Sequence, residues 1–194
     1  MKAKDYLAYI VNEIHTTIVA TVDDEGLPVT AAIDMMDNDE NSLYFLTAKG
    51  KGFYDRLKKR GFLALTAIKG QDTMSSVAVS VRGKVRELGY ERIPALFEKN
   101  LYMHQIYPTE DAMRALTVFQ IFEGTGEWFD LSKKPIERAS FSFGGAQQRR
   151  KASSSRTPVS AAEAACRCAR RTASSQAAIH FASNRSIACT AATA

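Results

Sequence analysis

Apolar residues recur along the first part of the chain in two spacings, one helical and one alternating. Tyr6, Leu7, Ile10, Val11 and Ile14 fall on one face of a helix over residues 3–14. Thr16–Val22 (TTIVATV) is β-branched and ends at the turn signal Asp23-Asp24-Glu25-Gly26; Pro28–Met35 follows, so residues 16–35 read as a β-hairpin. Leu43–Thr47 is a third strand and Phe62–Ile68 a fourth, entered through Gly61. Ser76–Leu88 is a long alternating strand that Gly83 is expected to bend. Residues 91–100 and 110–116 carry helical patterns, joined by a loop over 102–108. Thr117–Glu123 is a further strand, with Gly124-Thr125-Gly126 read as its turn and Ser140–Phe143 as a last short strand. Strands at short spacing with few helices point to a small antiparallel barrel.

Between the third and fourth strands lies Thr47-Ala48-Lys49-Gly50-Lys51-Gly52. After it Phe53, Tyr54 and Leu57 recur at helical spacing, with Arg56, Lys58, Lys59 and Arg60 on the polar face. The turn therefore sets ammonium groups beside the free N–H groups of a helix start, where an anion such as a phosphate is favoured. A solvated basic loop is the alternative.

Charge changes the picture of the tail more than that of the body. The chain of 194 residues has a net charge of +5. Residues 146–194 hold eight Lys/Arg and one acid, leaving 18 basic and 20 acidic residues in 1–145. The basic balance thus gives no reason to expect a nucleic-acid partner for the body. Beyond Gly145 the apolar period stops and Ala and Ser dominate, which predicts a disordered tail over 146–194 after a single domain at 1–145. The cysteines, Cys166, Cys168 and Cys189, all lie in that tail, so the body has no disulfide, and the one-residue gap in Cys166-x-Cys168 does not suit a metal pair. No apolar run is long enough to span a membrane and the start is no secretory signal, so the body is expected to be cytoplasmic.

In order and spacing, "TTIVATVDDEGLPVTAAIDM", "LYFLTAKGKGFYDRLKKRGFLALTAI" and "VAVSVRGKVREL" resemble the pyridoxamine 5′-phosphate oxidase-like proteins, a family of FMN-binding split barrels. The resemblance implies a mainly β (α+β) fold: a six-stranded antiparallel Greek-key split β-barrel with flanking helices. It also implies a homodimer with FMN at the subunit interface. By position Thr47, Lys49 and Lys51 would hold the FMN phosphate, and the backbone of Val29, Thr30 and Ala31 would lie against the isoalloxazine ring. Thr30 stands where the oxidases that act on vitamin B6 carry an arginine, and no basic set for a second phosphate follows, which counts against that substrate.

The expected function is FMN-dependent oxidoreduction on a small-molecule substrate or with an electron-transfer partner; a non-catalytic flavin-binding protein for storage or sensing is the alternative. No catalytic residue is implied. His104 reads as a proton donor or a surface histidine, and Trp128 as a flavin or interface residue or as core. A branch of the family continues from a segment like "GTGEWFDLSKKPIERASFSFGG" into a module with two four-iron clusters. The tail is read as a frameshifted remnant of that module. Moving the frame by one base lets pairs such as Ala161-Ala162, Ala164-Ala165 and Cys168-Ala169 encode cysteines at ferredoxin-like spacing.

Overall fold

A computed structural model describes residues 1–147. The expected tail, from 146 on, and its frameshifted reading fall almost wholly outside the described residues. The elements are α1 (Ala3–Tyr9), continued by a π-helical turn (Ile10–Ile14), β1 (Thr16–Val22), β2 (Pro28–Asn38), β3 (Leu43–Ala48) and α2 (Gly52–Arg60). Then follow β4 (Phe62–Lys69), β5 (Val77–Gly89), α3 (Ile93–Lys99), α4 (Met103–Ile106), α5 (Glu110–Arg114), β6 (Leu116–Asp130) and β7 (Glu137–Phe143). No helix among them is long and apolar enough to cross a membrane.

The strands lie in the order β3-β2-β1-β4-β5-β6, and β6 pairs back onto β3 along Leu43–Ala48, closing a six-stranded barrel. All the pairings are antiparallel. After the β1-β2-β3 meander the chain crosses by α2 to the far side of β1, the return that defines a Greek key. The interior holds Val19, Met35, Phe45, Leu63, Leu65, Val79, Val81, Phe119 and Ile121. Phe45 and Phe119, cross-strand partners, stack with centroids 5.8 Å apart. Tyr6, Leu7 and Ile10 of the N-terminal helix and Phe53 and Leu57 of α2 pack onto the same core. A second core, with Met36, Tyr44, Leu116 and Val118 from the strands, is covered by Ile93, Leu96, Phe97 and Met103.

Several elements depart from the pattern reading. Gly124-Thr125-Gly126 is no turn: β6 runs unbroken through it. Gly124 and Gly126 pair with Phe143 and Phe141 of β7, and a Cβ on Gly126 would stand 2.2 Å from the Phe141 ring. The glycines make room for two aromatic rings across the strand pair. β7 begins at Glu137, three residues before the expected Ser140. Gly83 stays in register with Gly124; the irregularities of β5 fall at Lys84/Val85 and Glu87/Gly89. The expected loop over 102–108 contains the short helix α4.

β2 and β3 pair only from Met35↔Phe45 to Asn38↔Leu43, with an irregularity between Met35 and Asp37. Toward its start, β2 leaves β3 and keeps β1 alone as a neighbour, while Thr47 and Ala48 pair with β6. The barrel is split there.

Candidate functional site

The two groups of residues singled out in the sequence stand on the two lips of this split. On one lip, Thr47 is the last residue but one of β3, Gly50 turns the chain at φ +82°, and Lys51 stands at the N-cap position of α2 with an extended backbone. Glycine suits a positive φ that residues with a Cβ rarely adopt. α2 is well specified: Phe53 and Leu57 are buried, Lys58, Lys59 and Arg60 lie in its last turn where the helix dipole favours cations, and Gly61 ends it in left-handed geometry.

Lys58, Lys59, Lys69, Lys84, Lys99 and Lys133 each lie within 4.0 Å of a carboxylate. Lys49 and Lys51 are exposed and hold no carboxylate among the described residues. The Thr47 side chain is buried at the strand end. Two unpaired ammonium groups, a hydroxyl and a helix start of nine residues match the donor set a phosphate needs.

On the other lip, Met35 N–H donates to His15 O at 2.8 Å. That bond fixes the alternation along β2: odd-numbered residues bond to β1, and Thr30, Ala32 and Asp34 turn their N–H and C=O to the opposite edge. No strand covers this edge over residues 28–34 among the described residues. Of the three residues expected against a ring, Thr30 alone offers its main chain there; Val29 and Ala31 use theirs on Thr21 and Val19. An open strand edge with the uncommitted N–H and C=O groups of Thr30, Ala32 and Asp34 fits a planar heterocycle that itself carries donors and acceptors.

The lips are tied together by Arg56, which the sequence reading left on the solvated face of the helix. Its Nε donates to Thr21 Oγ1 at 2.8 Å, and that hydroxyl donates to Val29 O at 3.3 Å. Lys59 bonds Asp24 at 2.6 Å and Arg60 donates to Asp23 O, so the polar face of α2 grips the β1–β2 turn. Between them is a cavity of about 370 Å³ lined by Asp23, Asp24, Glu25, Gly52, Asp55, Arg56 and Lys59. Its four carboxylates disfavour a phosphate, and Thr47, Lys49 and Lys51 do not line it; Gly52 does, so the basic turn and this acidic cavity adjoin at the start of α2.

The outward face of β2, β1 and β4 carries an apolar patch, interrupted by Thr66 opposite Ile18 and bounded by Thr16 and Asp34. Ile18 is 52% exposed, Val22 41%, Phe62 47% and Ile68 64%, and between them lie Ala20, Ala32 and Ala64, with Thr30 at the edge. The solvent face of an antiparallel sheet is usually polar; an exposed apolar patch of this kind marks a surface that another molecule covers.

A third cluster sits where α1 meets β1. His15 Nε2 lies 2.7 Å from Tyr102 Oη, which donates to Asp34 Oδ2 at 3.0 Å. Burial, and beside it the Asp34 carboxylate, raises the Tyr102 pKa well above its ordinary value, so the hydroxyl keeps its proton. No sequence signal joins these residues, which are 19 and 68 positions apart. His104, the histidine singled out in the sequence, has a ring contact with Phe97 at 5.1 Å and lies exposed. Trp128 is core: 5% exposed, packed on Tyr6 and Tyr9 under the N-terminal helix, with its indole N–H unpaired.

A closed six-stranded antiparallel barrel, split between β2 and β3 and flanked by short helices, defines an α+β split-barrel protein. The family model described as pyridoxamine 5′-phosphate oxidase matches residues 3–131, more than half of the chain, and the chain belongs to that family. Among curated proteins none matches the sequence. Solved structures share the fold. A NimC/NimA family protein from Clostridium acetobutylicum is 14% identical, with a TM-score of 0.60 over 72% of this chain and 92% of that one. A protein from the same organism, related to general stress protein 26 of B. subtilis (pyridoxinephosphate oxidase family), is 17% identical, with a TM-score of 0.55 over 71% and 94%. A heme binding protein from Mycobacterium smegmatis is 12% identical, with a TM-score of 0.55 over 72% of this chain and 58% of that one.

Proposed function

We propose that the chain is an FMN-binding oxidoreductase that works as a homodimer. The observation that carries the reading is the pair of unpartnered lysines, Lys49 and Lys51, at the start of α2, facing a split whose other lip is an open strand edge. The Thr47 hydroxyl and the two ammonium groups hold the phosphate. The β2 edge at Val29–Ala31 receives the ring, with the Thr30 main chain offering hydrogen bonds. Bound flavin supplies the redox chemistry; this chain supplies binding, orientation and exclusion of water.

The ring site is open in one chain. The apolar face of β2, β1 and β4 runs up to Thr30, so a second copy seated on that face would cover both the exposed apolar residues and the ring. Thr30, short and uncharged, offers no phosphate clamp to a substrate, which points away from vitamin B6 phosphates.

Protein purified with FMN is expected to be yellow and to release FMN on denaturation. In a fluorescence titration, Lys49→Ala/Lys51→Ala removes two charge-assisted contacts worth about 1.5–3 kcal/mol each when well formed. Exposure of both lysines lowers that figure, and a loss of affinity of at least about tenfold is expected. An unchanged Kd in the double variant would remove the phosphate assignment.

A further inference from the structure

We propose that His15 is a proton donor and acceptor at this site, with Tyr102 and Asp34 as the residues that position it. The inference rests on the flavin reading above. His15 closes the π-helical turn, its N–H donating to Ile10 O at 2.7 Å, and its backbone has φ 67° and ψ −65°. A residue with a side chain rarely adopts this conformation, and such strain gathers at functional sites, as do π turns. The surroundings hold it there: His15 O accepts from Met35 N–H, and the imidazole meets the Tyr102 hydroxyl.

The hydrogen-bond chain has one direction. The single hydroxyl hydrogen of Tyr102 goes to Asp34 Oδ2, while Asp34 Oδ1 accepts from Thr16 Oγ1 at 2.6 Å. Tyr102 Oη can then only accept from His15, and Nε2 carries a hydrogen. Nδ1 has no hydrogen-bond partner among the described residues and is the atom left for exchange. In the step assigned, the Nδ1–H bond of the imidazolium breaks, the proton passes to the bound ligand, and the ring remains neutral with its hydrogen on Nε2. No electron moves in this step.

Position supports the role. The His15 and Asp34 side chains are 31% and 35% exposed, so the relay is reachable. Asp34 shares the face and the open edge of β2 with Thr30, two pleats further on. An acid–base group fixed by a partner that is itself anchored to a carboxylate is the arrangement that proton transfer requires.

The test uses the full chain loaded with FMN. In nitrogen NMR of histidine-labelled protein at pH 8, His15 is expected as the Nε2–H tautomer, with the bias lost in Tyr102→Phe. An Nδ1–H tautomer overturns the relay whether or not flavin binds. Chemically reduced protein is then reoxidised in stopped flow by a soluble benzoquinone, which takes a hydride from the reduced flavin and a proton from the protein. His15→Asn, whose side chain tolerates a positive φ better than most, is expected to slow this by about 100-fold or more, with FMN affinity unchanged. If His15→Asn fails to fold, Tyr102→Phe carries the same prediction with a smaller loss. A wild-type rate in the folded variant overturns the relay alone; a chain that loads no FMN overturns the flavin reading and the relay's role with it.

Discussion

Glu87 holds α2, and through it the basic turn, onto the barrel. Its Oε1 accepts from Thr117 Oγ1 at 2.8 Å; its Oε2 accepts from Lys58 Nζ at 2.8 Å and from Tyr54 Oη at 3.4 Å. Thr117 is fully buried, so removing the carboxylate strands a hydroxyl away from water. Lys58 is 52% exposed and its ion pair adds little. Glu87→Ala is expected to cost about 2–3 kcal/mol, most of it from the bond to Thr117, and Glu87→Gln about 1 kcal/mol, because an amide oxygen can still accept from Thr117. In a folded body of this size that lowers Tm by roughly 5–10 °C for the alanine variant. Partial burial alone would raise the Glu87 pKa, but the hydrogen bonds from Lys58 and Thr117 and the Lys58 charge outweigh it, so the pKa lies below its ordinary value of 4.5. A depressed folded-state pKa contributes stability that is complete above the unfolded value and is lost as pH falls through the folded one. The gap between wild type and Glu87→Gln, measured by thermal unfolding of flavin-free protein, should therefore hold from pH 7 to 5 and close below about 4.5. A gap that stays constant down to pH 3, or a Glu87→Ala variant with wild-type Tm, would refute this reasoning. A Thr117→Val background offers an internal check, since most of the alanine effect should vanish there.

Gly126→Ala places a methyl 2.2 Å from the Phe141 ring and should destabilise by about 1–3 kcal/mol in urea unfolding, with Phe141→Leu in the same chain recovering part of the loss. Ala64→Glu sets a charge in the middle of the exposed face of β1 and β4; the expected outcome is a folded monomer by sedimentation velocity, and a dimer of unchanged stability would exclude this face as the interface.

Where one segment's own pattern decides its structure, the sequence was a sufficient guide. β1 is β-branched, β5 alternates, α2 has its apolar stripe, and Gly61 ends it, each within a short window of sequence. Gly124 and Gly126 were misread because the reason for them lies in β7: only with Phe141 and Phe143 placed opposite do the glycines become strand residues rather than a turn. The apolar outer face was visible in principle. TTIVATV and FLALTAI carry apolar residues on both parities, the signature of strands covered on two sides, and it was read only as β propensity.

The site divides on the same line. The basic turn was legible because an anion-favouring helix start needs its donors within a few residues of one another. The open edge of β2 was not, since it comes from a strand that stops pairing, and pairing is decided by β3 and β6 together: once Thr47 and Ala48 register with Thr117 and Leu116, β3 is committed to β6 and β2 is left with one neighbour. His15, Asp34 and Tyr102 are harder still. Each has a bland local reading: the end of a helix, a polar residue in a strand, an aromatic in a loop. They meet because the π turn advances the chain by one residue before β1, the β1–β2 register brings Thr16 opposite Asp34, and the second core seats Tyr102 against Met36. One local turn and two long-range choices fix one hydrogen-bonded chain, so any shift in the β1–β2 register would carry Asp34 away from Tyr102 and His15 and leave the relay without its anchor.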